Sequence, residues 1–163
     1  MTTVTAFTPG PNAPFSFQAT LDGQIYTVTV TWSLAGQRWY VNCSDLSGNV
    51  IFLLPLIGSP DGLLLSSLSW ANNEAAAVTS APHGYQVGSV INLTVSGATP
   101  IAYNGLNECL ITGPSSFSYD LANYPGPTSA AGSAFYNINL AGGYFQTSTL
   151  IFRDNAQVFE VAP

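Results

Sequence analysis

Apolar and polar residues alternate along residues 15–54, and turn-forming residues alone interrupt the alternation. The dipeptide Asp22-Gly23 suits a two-residue type I′ turn, because both central residues of that turn need a positive φ. A turn at this point places Phe17 opposite Val28, and the neighbouring pairs on the same face are also apolar on both strands. The pattern predicts a hairpin with one buried face, since a slip of one residue would turn all the apolar side chains to solvent.

Two further turns, at Ala35-Gly36 and Ser47-Gly48, continue this register across the sheet. The apolar pairs that they predict are Trp32 with Trp39, Val30 with Val41, Val28 with Cys43, Cys43 with Phe52, and Val41 with Leu54. One apolar face therefore runs through four strands, and the sequence predicts a four-stranded antiparallel meander. Trp32 and Trp39 are expected in its core.

The segments on either side of the meander are less regular. Residues 1–14 are rich in Pro and Thr and are predicted to form an irregular lead-in. Residues 63–70 are predicted to form another strand that pairs back on the meander, and residues 72–77, which read NNEAAA, are interpreted as a linker. Near the end of the chain, a hairpin is predicted in which Phe152 faces Phe159.

A second module is expected between about residues 78 and 132. Its short strands are predicted at residues 90–95, 107–112 and 117–121, and turn signals rich in Gly, Asn and Pro separate them. This spacing is typical of a small β-barrel or sandwich. Because no helix-period stretch is long enough for a helix, the predicted fold class is all-β.

The chain carries few charges. Charged residues make up 6% of its 163 residues, the net charge is −6, and Arg38 and Arg153 are its only Lys or Arg residues. A free monomer usually carries more surface charge, so the composition indicates burial in an assembly; a secreted β protein rich in Ser, Thr and Asn is the alternative. Binding to nucleic acid through phosphate contacts requires clustered Lys and Arg and is excluded.

Neither a membrane span nor a secretory signal is recognised. No apolar run approaches the roughly 20 residues of a membrane-spanning helix, and the first residues lack a basic segment followed by an apolar one. We therefore expect folding in the cytoplasm, where Cys43 and Cys109 would be free buried thiols rather than a disulfide.

The sequence offers little catalytic chemistry. His83, the only histidine, lies in Pro-His-Gly, where a turn residue that bonds to nearby backbone is expected. The acidic residues cluster at predicted turns, and Glu108 with Asp120 is the one pair that a glycoside hydrolase or cell-wall hydrolase would use. We expect no catalytic, metal-binding or cofactor-binding residues and no enzymatic activity.

Aromatic residues leave a binding function open. The candidates for a sugar-stacking platform are Tyr26, Trp32, Trp39, Tyr40, Trp70, Tyr85, Tyr103, Tyr119 and Tyr124. Of these, Tyr85 and Tyr103 are the residues whose replacement would test glycan binding. In an assembly protein, exposed aromatic residues serve as interface anchors.

Three stretches resemble parts of known phage proteins. The meander, TLDGQIYTVTVTWSLAGQRWYVNCSDLSGNVIFLLPLIG, and the closing segment, AGGYFQTSTLIFRDNAQVFEV, resemble the plug proteins at the centre of contractile-phage baseplates. The intervening HGYQVGSVINLTVSGATPIAYNG is similar to a small β module of many phage tail and baseplate proteins, although Ser89 stands where that module usually has Asp.

This resemblance implies a barrel-like plug domain formed by residues 1–73 and 133–163, with a β module inserted at residues 74–132. It implies a structural component of the virion, at the hub or plug position near the end of the tail tube. The implied partners are other baseplate, hub and tail-tube proteins and further copies in a three- or six-fold arrangement. The alternative is a carbohydrate- or host-surface-binding β module of a tail fibre or adhesin.

Overall fold

The structure is a computed structural model, and it describes residues 1–10 and 13–162. These residues form an all-β fold with a single short 3₁₀ turn at Ile101–Tyr103, which confirms the predicted fold class. The strands are β1 (Thr3–Ala6), β2 (Phe15–Leu21), β3 (Gln24–Ser33), β4 (Arg38–Ser44), β5 (Val50–Pro55), β6 (Leu63–Ala71), β7 (Glu74–Thr79), β8 (Val90–Ser96), β9 (Gly105–Gly113), β10 (Ser116–Asp120), β11 (Ser133–Phe135), β12 (Thr149–Arg153) and β13 (Val158–Ala162).

The chain divides into two compact units. The first unit comprises Met1–Pro60 and Ile138–Pro163, and the second comprises Asp61–Asn137. The predicted boundaries, after residue 73 and before residue 133, are therefore displaced: β6 and β11 belong to the second unit. The reason is strand pairing, because β6 pairs with β7 and β11 rather than with the meander.

The meander of the first unit has the predicted register. Strands β2, β3, β4 and β5 form a four-stranded antiparallel sheet in that order. Phe17 lies opposite Val28, and the apolar pairs predicted across the second and third hairpins are all observed. Asp22 and Gly23 have φ values of 46° and 77°, as a type I′ turn requires.

A second sheet, ordered β1-β13-β12, completes the first unit. Its hairpin pairs Phe152 with Phe159, as predicted. The prediction of an irregular lead-in is wrong for Thr3–Ala6, which pairs with β13. This strand ends before Pro9, so the proline restriction on backbone donors does not affect it; Pro11 and Asn12 lie outside the described residues.

Phe7 organises the aromatic part of this unit's core. Its ring makes edge-to-face contacts with Phe15, Trp39, Phe152 and Phe159, with centroid distances of 5.2, 5.5, 5.4 and 5.7 Å. Edge-to-face packing is favoured because the positive edge of one ring meets the negative face of the next. Phe7 therefore ties residues from both sheets together.

The Asp22 carboxylate links the meander to the last part of the chain. Its oxygens accept hydrogen bonds from the backbone N–H groups of Gln146, Thr147 and Ser148, at 2.6, 3.1 and 3.0 Å, and from the Thr147 hydroxyl at 2.9 Å. The Asp22 N–H in turn donates to Ser148 Oγ at 2.6 Å. Donors that favour the charged form hold the pKa of Asp22 well below its usual range, the Gln146 N–H first among them.

Ser59 holds together the two points at which the chain leaves and re-enters the first unit. Its buried hydroxyl accepts a hydrogen bond from the Ile138 N–H at 3.0 Å, and its own N–H donates to the Phe152 carbonyl at 2.7 Å. Residues that lie 79 positions apart in the sequence are thus adjacent. The entropy cost of closing a loop rises only slowly with its length, so a long intervening segment is compatible with this closure.

The second unit is a closed six-stranded barrel, ordered β10-β7-β6-β11-β8-β9. The predicted linker at residues 72–77 is a hairpin instead. Asn72 and Asn73 have φ values of 53° and 64° and form its turn, and Glu74–Thr79 is strand β7. Ala75 and Ala77 point into the barrel, where small side chains accommodate larger neighbours such as Phe117.

The barrel is held by a buried hydrogen bond and by the pairing of its first and last strands. The Tyr119 hydroxyl donates a hydrogen bond to the Tyr103 carbonyl at 2.9 Å, so the phenol is buried with a partner. The first and last strands pair directly, with Leu63 opposite Ala134 and Leu64 opposite Ser133. The two ends of this unit are therefore adjacent as well.

We expect Asp22→Asn to lower the urea midpoint of unfolding at pH 7. Asparagine keeps the positive φ but places an amide where backbone donors need a carboxylate. Because the folded pKa lies below the unfolded value, the stabilisation is present above the usual carboxyl pKa of about 4 and is lost as the pH falls further. The difference between the native chain and the variant should therefore shrink below about pH 4. Asp45→Asn is the control, since the Asp45 carboxylate accepts hydrogen bonds from Ser47 and Asn49 within its own turn. An equal loss in both variants would contradict a linking role for Asp22.

We expect residues 61–137 to fold without the rest of the chain, because the pairing of β6 with β11 closes the barrel within this segment. Unfolding of this segment by urea, monitored by near-ultraviolet circular dichroism, should show one cooperative transition. A matched segment of residues 61–131 lacks β11 and should show none, since it opens the barrel and removes the buried Ala134. Absence of a transition in the longer segment would contradict its independence.

Candidate functional site

The loop between β3 and β4 of the first unit is flanked by exposed apolar side chains. A hydrogen bond from the Gly36 N–H to Ser33 Oγ at 3.1 Å stabilises the loop. Gln37 adopts a left-handed conformation in it, with a φ of 47°. Around it lie the residues that we term the hairpin-tip surface: Trp32, Leu34, Arg38 and Trp39. The loop geometry leaves Leu34 85% exposed.

The two tryptophans do not share one environment. Trp39 is partly buried and contacts Phe7 in the core. Trp32 stacks edge-to-face on Trp39 with a centroid distance of 5.3 Å but is 47% exposed. The prediction that both belong to the core is therefore wrong for Trp32. The register places it on the inner face, but at this end of the sheet Phe7 and Trp39 already complete the core.

A groove of about 330 Å³ lies beside the two tryptophans. Its lining consists of Gly10, Ala13, Pro14, Thr31, Trp32, Leu34 and Trp39. In this described lining, Thr31 supplies the one hydroxyl, and the indole N–H groups of Trp32 and Trp39 are the other polar side-chain groups. Such a groove accommodates apolar groups, whereas a sugar site places several hydrogen-bonding side chains beside the aromatic ring.

Arg38 adds a positive charge at the edge of this surface. Its side chain is exposed, and Nε donates to the Gly36 carbonyl at 3.4 Å. Arg153, the other arginine, binds Glu160 through Nε and Nη2 at 3.1 and 2.9 Å. Arg38 is therefore the arginine that lies next to the exposed apolar residues of the hairpin tip.

His83 is placed as the sequence predicts. Its Nδ1 accepts a hydrogen bond from the Tyr85 N–H at 3.1 Å, within a turn, and its ring stacks on that of Tyr85. Nε2 is buried without a hydrogen-bond partner. Neither ring nitrogen is thus bonded to a hydroxyl or thiol nucleophile, which a catalytic triad requires.

The structure brings Glu108 and Asp120 to one open cavity of about 360 Å³ on the barrel, together with Glu74. Glu74 lies directly opposite Asp120 in the pairing of β7 with β10. Glu74 was not predicted at this site, because the alanines that follow it are typical of a linker rather than a strand. We term the lining of this cavity the acidic barrel face: Glu74, Val90, Leu106, Asn107, Glu108, Leu110, Ser118, Tyr119 and Asp120.

Tyr103 and the two cysteines are buried, whereas Tyr124, another aromatic candidate, is 61% exposed. Tyr103 is 1% exposed, so the hypothesis that it contributes to a glycan platform is wrong. Tyr85 is partly buried; its burial, with the nearby Tyr136, raises its pKa. Cys43 and Cys109 are free and buried, and burial raises the pKa of each thiol to about 11. Both therefore remain protonated and poorly nucleophilic near neutral pH.

The described residues contain neither a metal-binding group nor a membrane-spanning helix. In residues 1–10 and 13–162, no group of three His, Cys, Asp or Glu residues is arranged to hold a metal ion. Over the same ranges, no helix has the length and apolar character needed to cross a membrane. Comparison of the chain with protein-family models, with curated proteins and with solved structures gave no match.

Proposed function

We propose that this chain is a non-enzymatic structural component of a contractile-phage tail baseplate, at the hub or plug position near the end of the tail tube. The hairpin-tip surface is the observation that carries this proposal, because it has the features of a protein-docking site. The resemblance of the meander and the closing segment to plug proteins supplies the setting. Neighbouring hub and tail-tube proteins and further copies of the chain are the proposed partners.

The hairpin-tip surface combines the residue types that dominate protein interfaces. Trp and Arg are enriched among the residues that contribute most binding energy, and these positions have an apolar centre and a polar rim. Here Trp32 and Leu34 form the apolar centre and Arg38 the rim. The Trp32 side chain is also preorganised for binding. Its contact with Trp39 restricts the ring before a partner binds, which reduces the conformational entropy lost on binding.

The rest of the first unit supports burial among neighbours. Several large apolar side chains of this unit are exposed besides those at the hairpin tip: Ile25, Leu46, Val50, Leu53 and Ile57. Charged residues are 6% of the chain, so the surface between these side chains is mostly uncharged. A surface of this composition is stabilised by contact with other proteins.

Binding to a carbohydrate or host surface is the second candidate, and the exposed ring of Trp32 is the observation in its favour. A sugar ring stacks on such a face, but it also needs hydrogen-bonding groups around its rim. Among its described side chains, the groove offers one hydroxyl, that of Thr31, and two indole N–H groups, which donate but cannot accept. The protein-docking function therefore accounts better for the site.

We expect Trp32→Ser/Leu34→Ser to prevent incorporation of the chain into particles. A phage that lacks this chain would be complemented with the native or variant chain, and the purified particles quantified by mass spectrometry. The double variant should be incorporated at least about tenfold less, the change that corresponds to 1.4 kcal/mol. Cryo-electron microscopy of the native particle should place the chain on the tail axis, between the tube end and the spike.

Ile101→Ser is the matched control, because Ile101 is 82% exposed but lies on the 3₁₀ turn of the barrel. It should be incorporated like the native chain, and thermal unfolding of all the chains should verify that they fold. Equal incorporation of the double variant would contradict the docking function. Density at the particle's periphery, with glycan binding that depends on Trp32, would favour the second candidate instead.

A further inference from the structure

We propose that the hairpin-tip surface of one copy docks on the acidic barrel face of a second copy of this chain. The inference rests on the proposed function, since it names a partner for the surface on which that function depends. It is argued from three properties of the acidic barrel face, namely its charge, an unpartnered buried hydroxyl and its exposed apolar residues, and from the match that the hairpin tip offers to them.

The charge of the acidic barrel face is concentrated on three neighbouring strands. Asp120 of β10 lies directly opposite Glu74 of β7, and Glu108 lies on β9, the other neighbour of β10. All three side chains are exposed and line the same cavity. Like charges opposite each other on paired strands destabilise a sheet, so a cation bound here would relieve an unfavourable arrangement.

A buried hydroxyl in the same cavity lacks a partner. Ser118 is 5% exposed, and its Oγ makes no hydrogen bond. A buried polar atom without a partner is costly, and in native proteins such atoms usually mark a position that a ligand, water or partner satisfies. The Ser118 hydroxyl can accept a hydrogen bond from a cationic donor that enters between the carboxylates.

The same face has an apolar part and no metal-binding arrangement. Val90, Leu106 and Leu110 line the cavity and are largely exposed. The carboxylates here do not form one of the compact groups that would hold a metal ion, and the described residues contain no such group. The acidic barrel face would therefore be complemented by a partner surface on which a long cationic side chain lies next to an apolar one. An arginine next to a leucine has these properties.

The chain itself carries one such arrangement. Of its two arginines, Arg153 is bound to Glu160, whereas Arg38 is exposed and lies four positions from the exposed Leu34. Arg38 supplies the positive charge, and Leu34 and Trp32 supply the apolar contact. Because the two complementary surfaces differ, the contact joins one copy to the next in a head-to-tail manner.

Charge reversal on the purified full-length chain tests this contact. Sedimentation velocity over a range of concentrations would be measured for the native chain, Arg38→Glu, Asp120→Arg and the combined variant. The native chain should self-associate, each single reversal should raise the Kd at least about tenfold, and the combined variant should recover most of the loss. Asp154→Arg is the matched control, because it makes the same charge change at an exposed position of the first unit.

Ser118→Ala gives a second test, because it should affect the stability of the monomer and the strength of self-association in different directions. Removing an unpartnered buried hydroxyl should leave the stability of the monomer unchanged or raised, whereas it should weaken self-association. Glu108→Arg replaces Asp120→Arg if the latter does not fold, as judged by circular dichroism.

A monomeric native chain at all concentrations would overturn the inference, and so would an Asp120→Arg variant that associates as tightly as Asp154→Arg. A different result would contradict the proposed function, namely that the chain is absent from the tail axis of the particle. A chain that is incorporated into particles but stays monomeric in solution would therefore disprove the copy-to-copy contact alone.

Discussion

The carboxylate of Asp22 joins two parts of the first unit that the whole second unit separates in the sequence. Its hydrogen bonds reach residues 124 to 126 positions away. The rest of the first unit depends on this closure, because strands β12 and β13 complete the core only when the last part of the chain returns to the meander. A charged acceptor suits this position, since several converging donors stabilise the carboxylate more than they would a neutral group. The tip of one hairpin thus anchors the segment that leads into another.

Both units are closed where the chain passes between them. In the first unit, Ser59 accepts a hydrogen bond from the Ile138 N–H, and in the second, β6 pairs with β11. Each unit therefore has adjacent ends, the usual condition under which one domain is inserted into another without strain. This arrangement also explains the displaced boundaries. Residues 63–71, which read LLLSSLSWA, are rich in leucine and suit a strand of either sheet, and their pairing with β7 and β11 places them in the second unit.

Alternation and turn chemistry were sufficient to predict the meander register, the final hairpin and a small β module. They failed where local signals are weak or misleading. The alanine-rich β7 has low strand propensity, and its pairing with β6 and β10 overrides that propensity. The same error hid Glu74. Trp32 shows a different limit: register specifies the face on which a side chain lies, but its burial depends on how far the core extends along the strand. No pattern in the sequence indicates that Phe7 closes this end.

Because the chain has so few charged residues, most can be assigned to stabilising the fold or to binding a partner from their position in the structure. Asp22 and Asp45 accept hydrogen bonds within or between turns, and Arg153 pairs with Glu160, so these charges stabilise the fold. In the part of the chain that the structure describes, the three carboxylates of the acidic barrel face and Arg38 form no ion pair like that of Arg153 with Glu160, and they lie beside exposed apolar side chains. Apolar contact supplies most of the affinity of an interface, whereas charge complementarity selects the partner and its orientation. A surface that is mostly uncharged would bind many apolar surfaces with little discrimination, and a few placed charges are then sufficient to select one.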